Sequence, residues 1–177
     1  MYIWIGIDVD DQLTQIKAAA REVEDRIGFI NSNFTLPLHI SLKISFPVPD
    51  AQVEAVFRDL AEVFKTVPPF SIPVKGIELD AVIAWIRMEK NATLNALHDR
   101  LNDLLLEKYQ VPLHEYDRDY KFHTTLFMDM DLEKVRKAFD AVRDSFLPGV
   151  LQAKRVVIGT SPTGKLGSYT VVRDINL

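Results

Sequence analysis

The sequence predicts an α+β fold of two matched lobes, with antiparallel-rich sheets around a central groove and helices on the outside. Two observations predict it. Strand and helix patterns occur twice along the chain in the same order, and the strongest strand of each half carries a similar tetrapeptide, HISL at 39–42 and HTTL at 123–126. The 177 residues have the length of one domain. We therefore expect a single domain with lobes at about 1–79 and 82–160, closed by a strand at 168–175.

The first half opens with a strand and a helix. The first residues are mostly β-favouring aliphatic and aromatic side chains, which predict a buried strand. Asp10 and Asp11 offer an N-cap for a helix that ends at Gly28, a residue suited to a left-handed C-terminal position. After a polar stretch, residues 38–46 alternate between apolar and polar side chains, which is the clearest strand pattern in the sequence.

The remainder of the first half repeats the alternation of helix and strand. Prolines stop the strand, and Asp50 can cap a helix that runs to about Val67, where two further prolines end it. A pair of strands is then expected at about 70–79 and 82–88.

The second half shows the same succession of elements. Asn91 can cap a helix to about Tyr109, and Asp131 can cap another to Leu147. The strands of this half are expected near 121–128, 152–160 and 168–175.

Composition excludes several classes of protein. Lys and Arg number 21 against 25 for Asp and Glu, and the net charge of −4 has the wrong sign for binding duplex nucleic acid through its phosphates. A local basic pocket for a small or end-bound anion remains compatible with this charge. The absence of cysteine excludes disulfides, thiolate metal sites and a cysteine nucleophile. The short N-terminal apolar run has acidic flanks and no basic ones, so we expect neither a signal peptide nor a membrane span, and a cytoplasmic location.

The two tetrapeptides predict a set of polar side chains in one groove. Alternate residues of a strand share a face, so the apolar members of each motif pack inward and the polar members point to the groove. The polar members are His39, Ser41 and Lys43 in the first half, and Lys121, His123 and Thr125 in the second. The same alternation places Phe127 on the face of His123. Each half is therefore expected to contribute one imidazole, one hydroxyl and one ammonium.

This set of groups is suited to phosphoester chemistry. Unperturbed histidine titrates near pH 6.5, so one imidazole can accept a proton while the other donates one to a leaving oxygen. The hydroxyls of Ser41 and Thr125 can donate hydrogen bonds to the non-bridging phosphate oxygens, and a lysine can offset the charge that gathers there. Such a mechanism requires no metal and no other cofactor. A zinc site built from both histidines is disfavoured because neither motif face carries a carboxylate.

Paired histidine and hydroxyl motifs of this type, one in each lobe, resemble the HxTx motifs of the 2H phosphoesterase superfamily. That superfamily includes bacterial 2′-5′ RNA ligase-like proteins and cyclic nucleotide phosphodiesterases. The segments 2–7 and 167–169 resemble its first strand and last hairpin. The resemblance implies a hydrolase of RNA-processing type, which acts without metal on 2′,3′-cyclic phosphates or 2′-5′ linkages of RNA ends or small nucleotides. It also implies that His39 and His123 are catalytic and that Ser41 and Thr125 bind the phosphate.

Further substrate contacts are less strongly indicated. The candidates are Lys43, Lys121, Tyr120 and Tyr169, and more weakly Arg87, Lys154, Arg155 and Lys165. Strand lysines are at least as often found keeping a sheet edge soluble. The loops at 31–37 and 110–120 each lead into a histidine strand and could select the substrate. His98 and His114 are expected to be exposed to solvent.

Two other functions fit the same pattern. The groove could hold a nucleotide or RNA end without turnover, or the histidines could be incidental to a structural domain. No duplex nucleic acid and no membrane is expected as a partner. The natural substrate, the direction of the reaction, the acid and base assignment and the oligomeric state stay open at this point.

Overall fold

The computed structural model describes residues 1–28, 36–89, 91–145 and 149–177, in which eight strands and four α-helices are found. The strands are β1 (Tyr2–Asp8), β2 (His39–Pro47), β3 (Phe70–Asp80), β4 (Ile83–Met88), β5 (His123–Met128), β6 (Val150–Ala153), β7 (Arg155–Ser161) and β8 (Thr170–Asn176). The helices are α1 (Thr14–Ile27), α2 (Val53–Phe64), α3 (Ala92–Tyr109) and α4 (Leu132–Val142). The predicted order of helices and strands is confirmed, except that the strand expected at 152–160 is divided in two.

The strands form two antiparallel sheets of four strands, in the orders β2-β1-β7-β8 and β5-β4-β3-β6. The two orders correspond position by position, which confirms the duplicated α+β fold. Each half of the sequence gives its last strand to the other sheet, since β3 pairs with β4 and β6, and β7 pairs with β1 and β8. The boundary expected at residues 79–82 therefore does not separate the two sheets.

The segment expected as one strand at 152–160 is two strands. Lys154 separates β6 from β7, and these short strands belong to different sheets. A continuous run of β-favouring residues does not reveal such a division, because the break depends on which partner strand each part meets.

Two of the predicted helix N-caps are confirmed. The Asn91 side chain accepts a hydrogen bond from the backbone N–H of Leu94 at 3.0 Å, and Asp131 accepts from the first turn of α4. Gly28 ends α1 in the left-handed conformation, with φ of 69°. Beyond α4, a 3-10 turn runs to Ser145, so the helix expected to reach residue 147 is α-helical only to Val142.

The predicted caps at Asp10 and Asp50 are wrong. Each lies in a 3-10 turn before its helix, and α1 and α2 begin without a side-chain cap. Asp10 instead accepts a hydrogen bond from the Leu38 backbone N–H at 2.8 Å, next to the start of β2. Asp50 instead binds the N-terminal ammonium group at 2.8 Å. Both carboxylates have tertiary partners that local sequence does not reveal.

The helices cover the sheets from outside. α2 contacts β8 and α3 contacts β2, whereas α4 packs against β3, β4 and β5 and against α1. The isoleucines of β1 are fully buried beneath them. In the described part of the chain, no helix has the length and apolar character needed to cross a bilayer.

Candidate active site

The two histidine strands meet between the sheets. β2 and β5 are each the edge strand of their own sheet, and they contact one another. His39 and His123 stand at matching positions of these strands and are both half-buried. The two rings are close enough for charge on His123 to lower the pKa of His39. The structure therefore brings together two imidazoles that are far apart in the sequence.

Both imidazoles are oriented in the same way. The Nδ1 atom of His39 lies 2.7 Å from the Pro37 carbonyl oxygen, and that of His123 lies 2.6 Å from the Lys121 carbonyl oxygen. In each case the backbone carbonyl two residues earlier fixes the proton on Nδ1, because a carbonyl can only accept. The Nε2 atom of each ring is left to exchange a proton with a ligand.

A tryptophan packs against each histidine. The ring centroids of Trp4 and His39 are 4.1 Å apart, and those of Trp85 and His123 are 4.3 Å apart. Sequence analysis did not place Trp4 in the site, although a Trp-Ile pair occurs at the same position in both halves. Contacts of this type hold the rings in place and limit their access to water.

The Trp4 indole fits because two glycines lie beneath it. A β-carbon on Gly6 would come within 2.6 Å of the indole and 3.2 Å of the His39 ring, and one on Gly159 within 2.8 Å of the indole. At 2.6 and 2.8 Å the indole would have to shift, and at 3.2 Å the His39 ring would have to move by a few tenths of an ångström. Gly6 and Gly159 are therefore needed for the first histidine to be held as it is.

The hydroxyls of the two motifs lie beside the histidines. Ser41 and Thr125 are half-buried. In the strand pairing, Ser41 lies opposite Gly6 and Thr125 lies opposite Trp85. The Ser41 oxygen accepts a hydrogen bond from the Trp4 indole N–H at 3.2 Å. Since that bond uses a lone pair of the oxygen, the Ser41 hydroxyl hydrogen stays available to donate to an anionic ligand.

Lys43 does not face the groove, which corrects the expectation from strand alternation. Ser41 pairs with Gly6, yet Lys43 pairs with Ile5, so a β-bulge turns Lys43 onto the face of the buried isoleucines. Its side chain is 2% exposed, and its ammonium forms an ion pair with the buried carboxylate of Asp117. The matching bulge in β5 turns Phe127 toward Ala84 and away from His123.

His98 is buried and not exposed as expected. Its Nδ1 lies 2.7 Å from the Leu42 carbonyl oxygen, and the Asn102 amide nitrogen lies 3.0 Å from its Nε2. The ring also stacks on Tyr120, with centroids 4.4 Å apart. His98 therefore joins α3 to β2 and to the segment before β5, close to the pair of Lys43 and Asp117.

The other predicted substrate contacts lie at varied positions. Lys121 is exposed just before β5, and its carbonyl orients His123. The Tyr120 ring stacks on His98, and burial raises the pKa of the Tyr120 hydroxyl. The Tyr169 hydroxyl hydrogen-bonds to Ser45. Residues 31–35 of the first predicted selecting loop lie outside the described residues.

Burial controls the protonation of both histidines. It lowers the pKa of His39 from 6.5 to about 4, against the smaller raising effects of the Pro37 carbonyl, Asp8 and Asp10. Burial also lowers the pKa of His123, and the positive charge of Arg87 acts in the same direction. Without a ligand, both rings are therefore expected to be uncharged at neutral pH.

This lowered pKa predicts a specific pH dependence of stability. Between pH 6.5 and about 4 the unfolded chain binds a proton at His39 that the folded protein does not, so the free energy of unfolding falls as the pH falls through this window. The linkage gives at most about 3 kcal/mol, and for a half-buried ring we expect about 1–2 kcal/mol. Urea unfolding at pH 7 and pH 4.5 measures the loss, and His39→Asn should reduce it by that amount. An identical loss of unfolding free energy in the wild type and in His39→Asn would contradict the lowered pKa of His39.

In the described residues, no three His, Asp or Glu side chains are grouped in a way that could hold a metal ion. An open cavity of about 280 Å³ lies beside β4, α3 and the segment before β5. Arg87, His98, Asp117 and Tyr120 are among the residues that line it.

Comparison with known proteins gives one family and several similar folds. The model of the 2′-5′ RNA ligase superfamily matches residues 29–163. No curated protein matches the sequence. Escherichia coli LigT complexed with 3′-AMP is 15% identical, with 99% of this chain and 96% of that chain covered and a TM-score of 0.58. TT0787 of Thermus thermophilus is 17% identical, with 100% and 98% covered and a TM-score of 0.61. A further structure described as a phosphoesterase is 15% identical, with 99% and 97% covered and a TM-score of 0.62.

Proposed function

Because the chain belongs to the 2′-5′ RNA ligase superfamily, we propose that it is a metal-independent phosphodiesterase for 2′,3′-cyclic phosphates or 2′-5′ linkages. Its substrates would be RNA ends or small nucleotides in the cytoplasm. Membership of this superfamily of 2H phosphoesterases supports phosphoesterase activity in general. We propose in addition the linkage that is cleaved, the class of substrate and the role of each residue.

One observation carries the proposal. Two edge strands in contact hold His39 and His123 with each Nδ1 bonded to a backbone carbonyl, and the described residues provide no hydrogen bond to either Nε2. Paired imidazoles with the same orientation can act on opposite sides of one phosphorus atom. E. coli LigT, which shares this fold, has been solved in complexes with 3′-AMP and with phosphate. A phosphate-bearing nucleotide is therefore a reasonable ligand to test.

The proposed reaction opens a cyclic phosphate by hydrolysis. The Nε2 of one histidine accepts a proton from water as the water oxygen bonds to phosphorus. The bond from phosphorus to the 2′ or 3′ oxygen breaks, and the other histidine, in its protonated form, gives its proton to that oxygen. Ser41 and Thr125 donate to the non-bridging oxygens. Formation of a 2′-5′ bond from a cyclic phosphate uses the same groups, with a 5′ hydroxyl in place of water.

A binding module without turnover is the second candidate. The lowered pKa of His39 supports it, because a ring with a pKa of about 4 carries no proton to donate at neutral pH unless a bound anion raises that value. A phosphate beside both rings would favour the charged imidazole, so the enzyme predicts an increase in this pKa on binding.

A turnover assay separates the two candidates. The four 2′,3′-cyclic mononucleotides and a 2′-5′ linked dinucleotide serve as substrates, with the 3′-5′ linked dinucleotide as the control linkage. We expect a nucleoside monophosphate product from the cyclic substrates, at rates unchanged by excess EDTA. The double variant His39→Gln/His123→Gln provides the background. Nucleotide binding without product would support the binding module and contradict the phosphodiesterase.

A further inference from the structure

Arg87 lies directly beside the second histidine. It occupies β4 and stands across the ladder from His123 in β5. Its charge is close enough to lower the pKa of His123. The bulge that removes Lys43 from the groove takes away the ammonium that strand alternation predicted for the first half of the site. Arg87 is thus a cation at the reacting centre that comes from the neighbouring strand and not from a motif.

The guanidinium of Arg87 has an unsatisfied donor. Its Nη1 atom is buried, and no hydrogen-bond partner for it exists among the described residues. The positive charge of Arg87 contributes to the lowered pKa of Glu78, but the Glu78 carboxylate forms its ion pair with Lys75, at 2.7 Å. A buried cationic donor without an acceptor is costly, so a missing anionic partner is the simplest reason for its position.

The corresponding position in the other sheet has the opposite charge. Asp8 stands across the ladder from His39, as Arg87 does from His123. The Asp8 carboxylate is already bonded to Arg155 and to the Asp10 backbone N–H. The two halves of the groove are therefore unequal, because the His39 side has a neutralised carboxylate and the His123 side has a cation with a free donor.

We infer that Arg87 binds a non-bridging oxygen of the substrate phosphate beside His123. This inference rests on the proposed function. An arginine N–H directed at a phosphate oxygen supplies a charge-assisted hydrogen bond, which strengthens as negative charge accumulates in the transition state. The phosphate is then held nearer to β5 than to β2.

The neighbouring cavity does not provide an equally good anion site. Arg87 lines it, but so do the carboxylates of Glu89, Asp99 and Asp119. These carboxylates would repel a phosphate. On the face of His123 and Thr125, β5 itself carries no acidic side chain, and Glu78, which lies opposite Trp85 in the neighbouring strands, is neutralised by Lys75. Because the cavity is lined by carboxylates, we expect a phosphate to bind Arg87 from the groove and not from the cavity.

Binding of inorganic phosphate tests the inference without any need for turnover. The His123 ring signals are followed by NMR during phosphate titration of the wild type, Arg87→Gln and Arg87→Lys. Arg118→Gln is the matched control, since Arg118 lines the same cavity but is exposed and does not pair with β5. We expect Arg87→Gln to weaken phosphate binding by about tenfold or more, Arg87→Lys by less, and Arg118→Gln by under about twofold.

Turnover of 2′,3′-cyclic AMP gives the second measurement. We expect Arg87→Gln to lower kcat/KM by about 10²- to 10³-fold, mainly through kcat. If the wild type binds phosphate through Arg87 but turns over no substrate, the proposed function fails and this inference stands. If Arg87→Gln is unfolded, Arg87→Lys decides, because only a phosphate ligand predicts weaker binding on loss of the guanidinium fork. Unchanged phosphate affinity in every folded Arg87 variant would overturn the inference.

Discussion

Replacement of either His39 or His123 by alanine is expected to reduce kcat/KM for a 2′,3′-cyclic nucleotide by about 10²- to 10⁴-fold. The proposed reaction moves one proton at each Nε2, so neither ring can replace the other. Removal of both rings should therefore cost little more than removal of one, because each single variant already lacks half of a coupled proton transfer. Initial rates at saturating and at low substrate measure the separate effects on kcat and KM.

The same experiment needs a histidine control and a fold control. His114 is exposed and belongs to neither histidine strand, and in His114→Asn a side chain of similar capping ability replaces it. That variant should retain activity within about threefold of the wild type, as expected of a surface position. Thermal unfolding verifies that the alanine variants are folded. Wild-type rates in either His39→Ala or His123→Ala would disprove the proposed mechanism.

Much of the fold follows from local sequence because its signals are local. The alternating segment at 38–46 predicts β2 to within one residue at each end, and Asn91 caps α3 with the hydrogen bond that its position implies. The repeated motif also places both histidines on strands that meet. That all 177 residues form one domain stays a prediction.

The error at Lys43 has a long-range cause. Alternation holds only while two strands stay in register, and the bulge against Ile5 depends on the partner strand β1. A sequence signal at a single strand cannot reveal it. The same change at Phe127 shows that both motifs bend directly after their hydroxyl residue, so the polar face ends there in each half.

The error at His98 could have been avoided. Leu94, His98 and Leu105 fall on one face of α3 at helical spacing, and all are buried. The helical periodicity therefore indicates a core position for His98. The charged residues Asp99 and Arg100 beside it favour the opposite interpretation. Trp4 was missed for another reason: an aromatic residue in a buried strand is ordinarily part of the core, and only the facing glycines allow it to contact His39.

Disruption of the buried ion pair between Lys43 and Asp117 is expected to have the largest effect on stability. Their side chains are 2% and 1% exposed, so removal of one partner leaves a buried charge without compensation. We expect Lys43→Met and Asp117→Leu each to lower the free energy of unfolding by about 3–5 kcal/mol. Lys137→Met, which breaks an exposed pair with Glu133, should leave the free energy of unfolding almost unchanged, because water and salt screen an exposed pair. Urea unfolding at pH 7 measures all three.

The double variant Lys43→Met/Asp117→Leu separates the effect of the ion pair on stability from its effect on the position of the two histidines. Apolar side chains of similar volume replace a buried pair at little cost, so stability should return to within about 1–2 kcal/mol of the wild type. The pair nevertheless joins β2, two residues after Ser41, to the segment that leads into β5, and Asp117 also accepts from the His114 backbone N–H at 2.7 Å. Loss of this connection should move the two histidines relative to one another. We therefore expect the restored double variant to keep a lower kcat than the wild type, since about 1 Å of displacement at reacting groups costs about 10²-fold. A stable double variant with wild-type kcat would show that the pair does not set the separation of the two imidazoles.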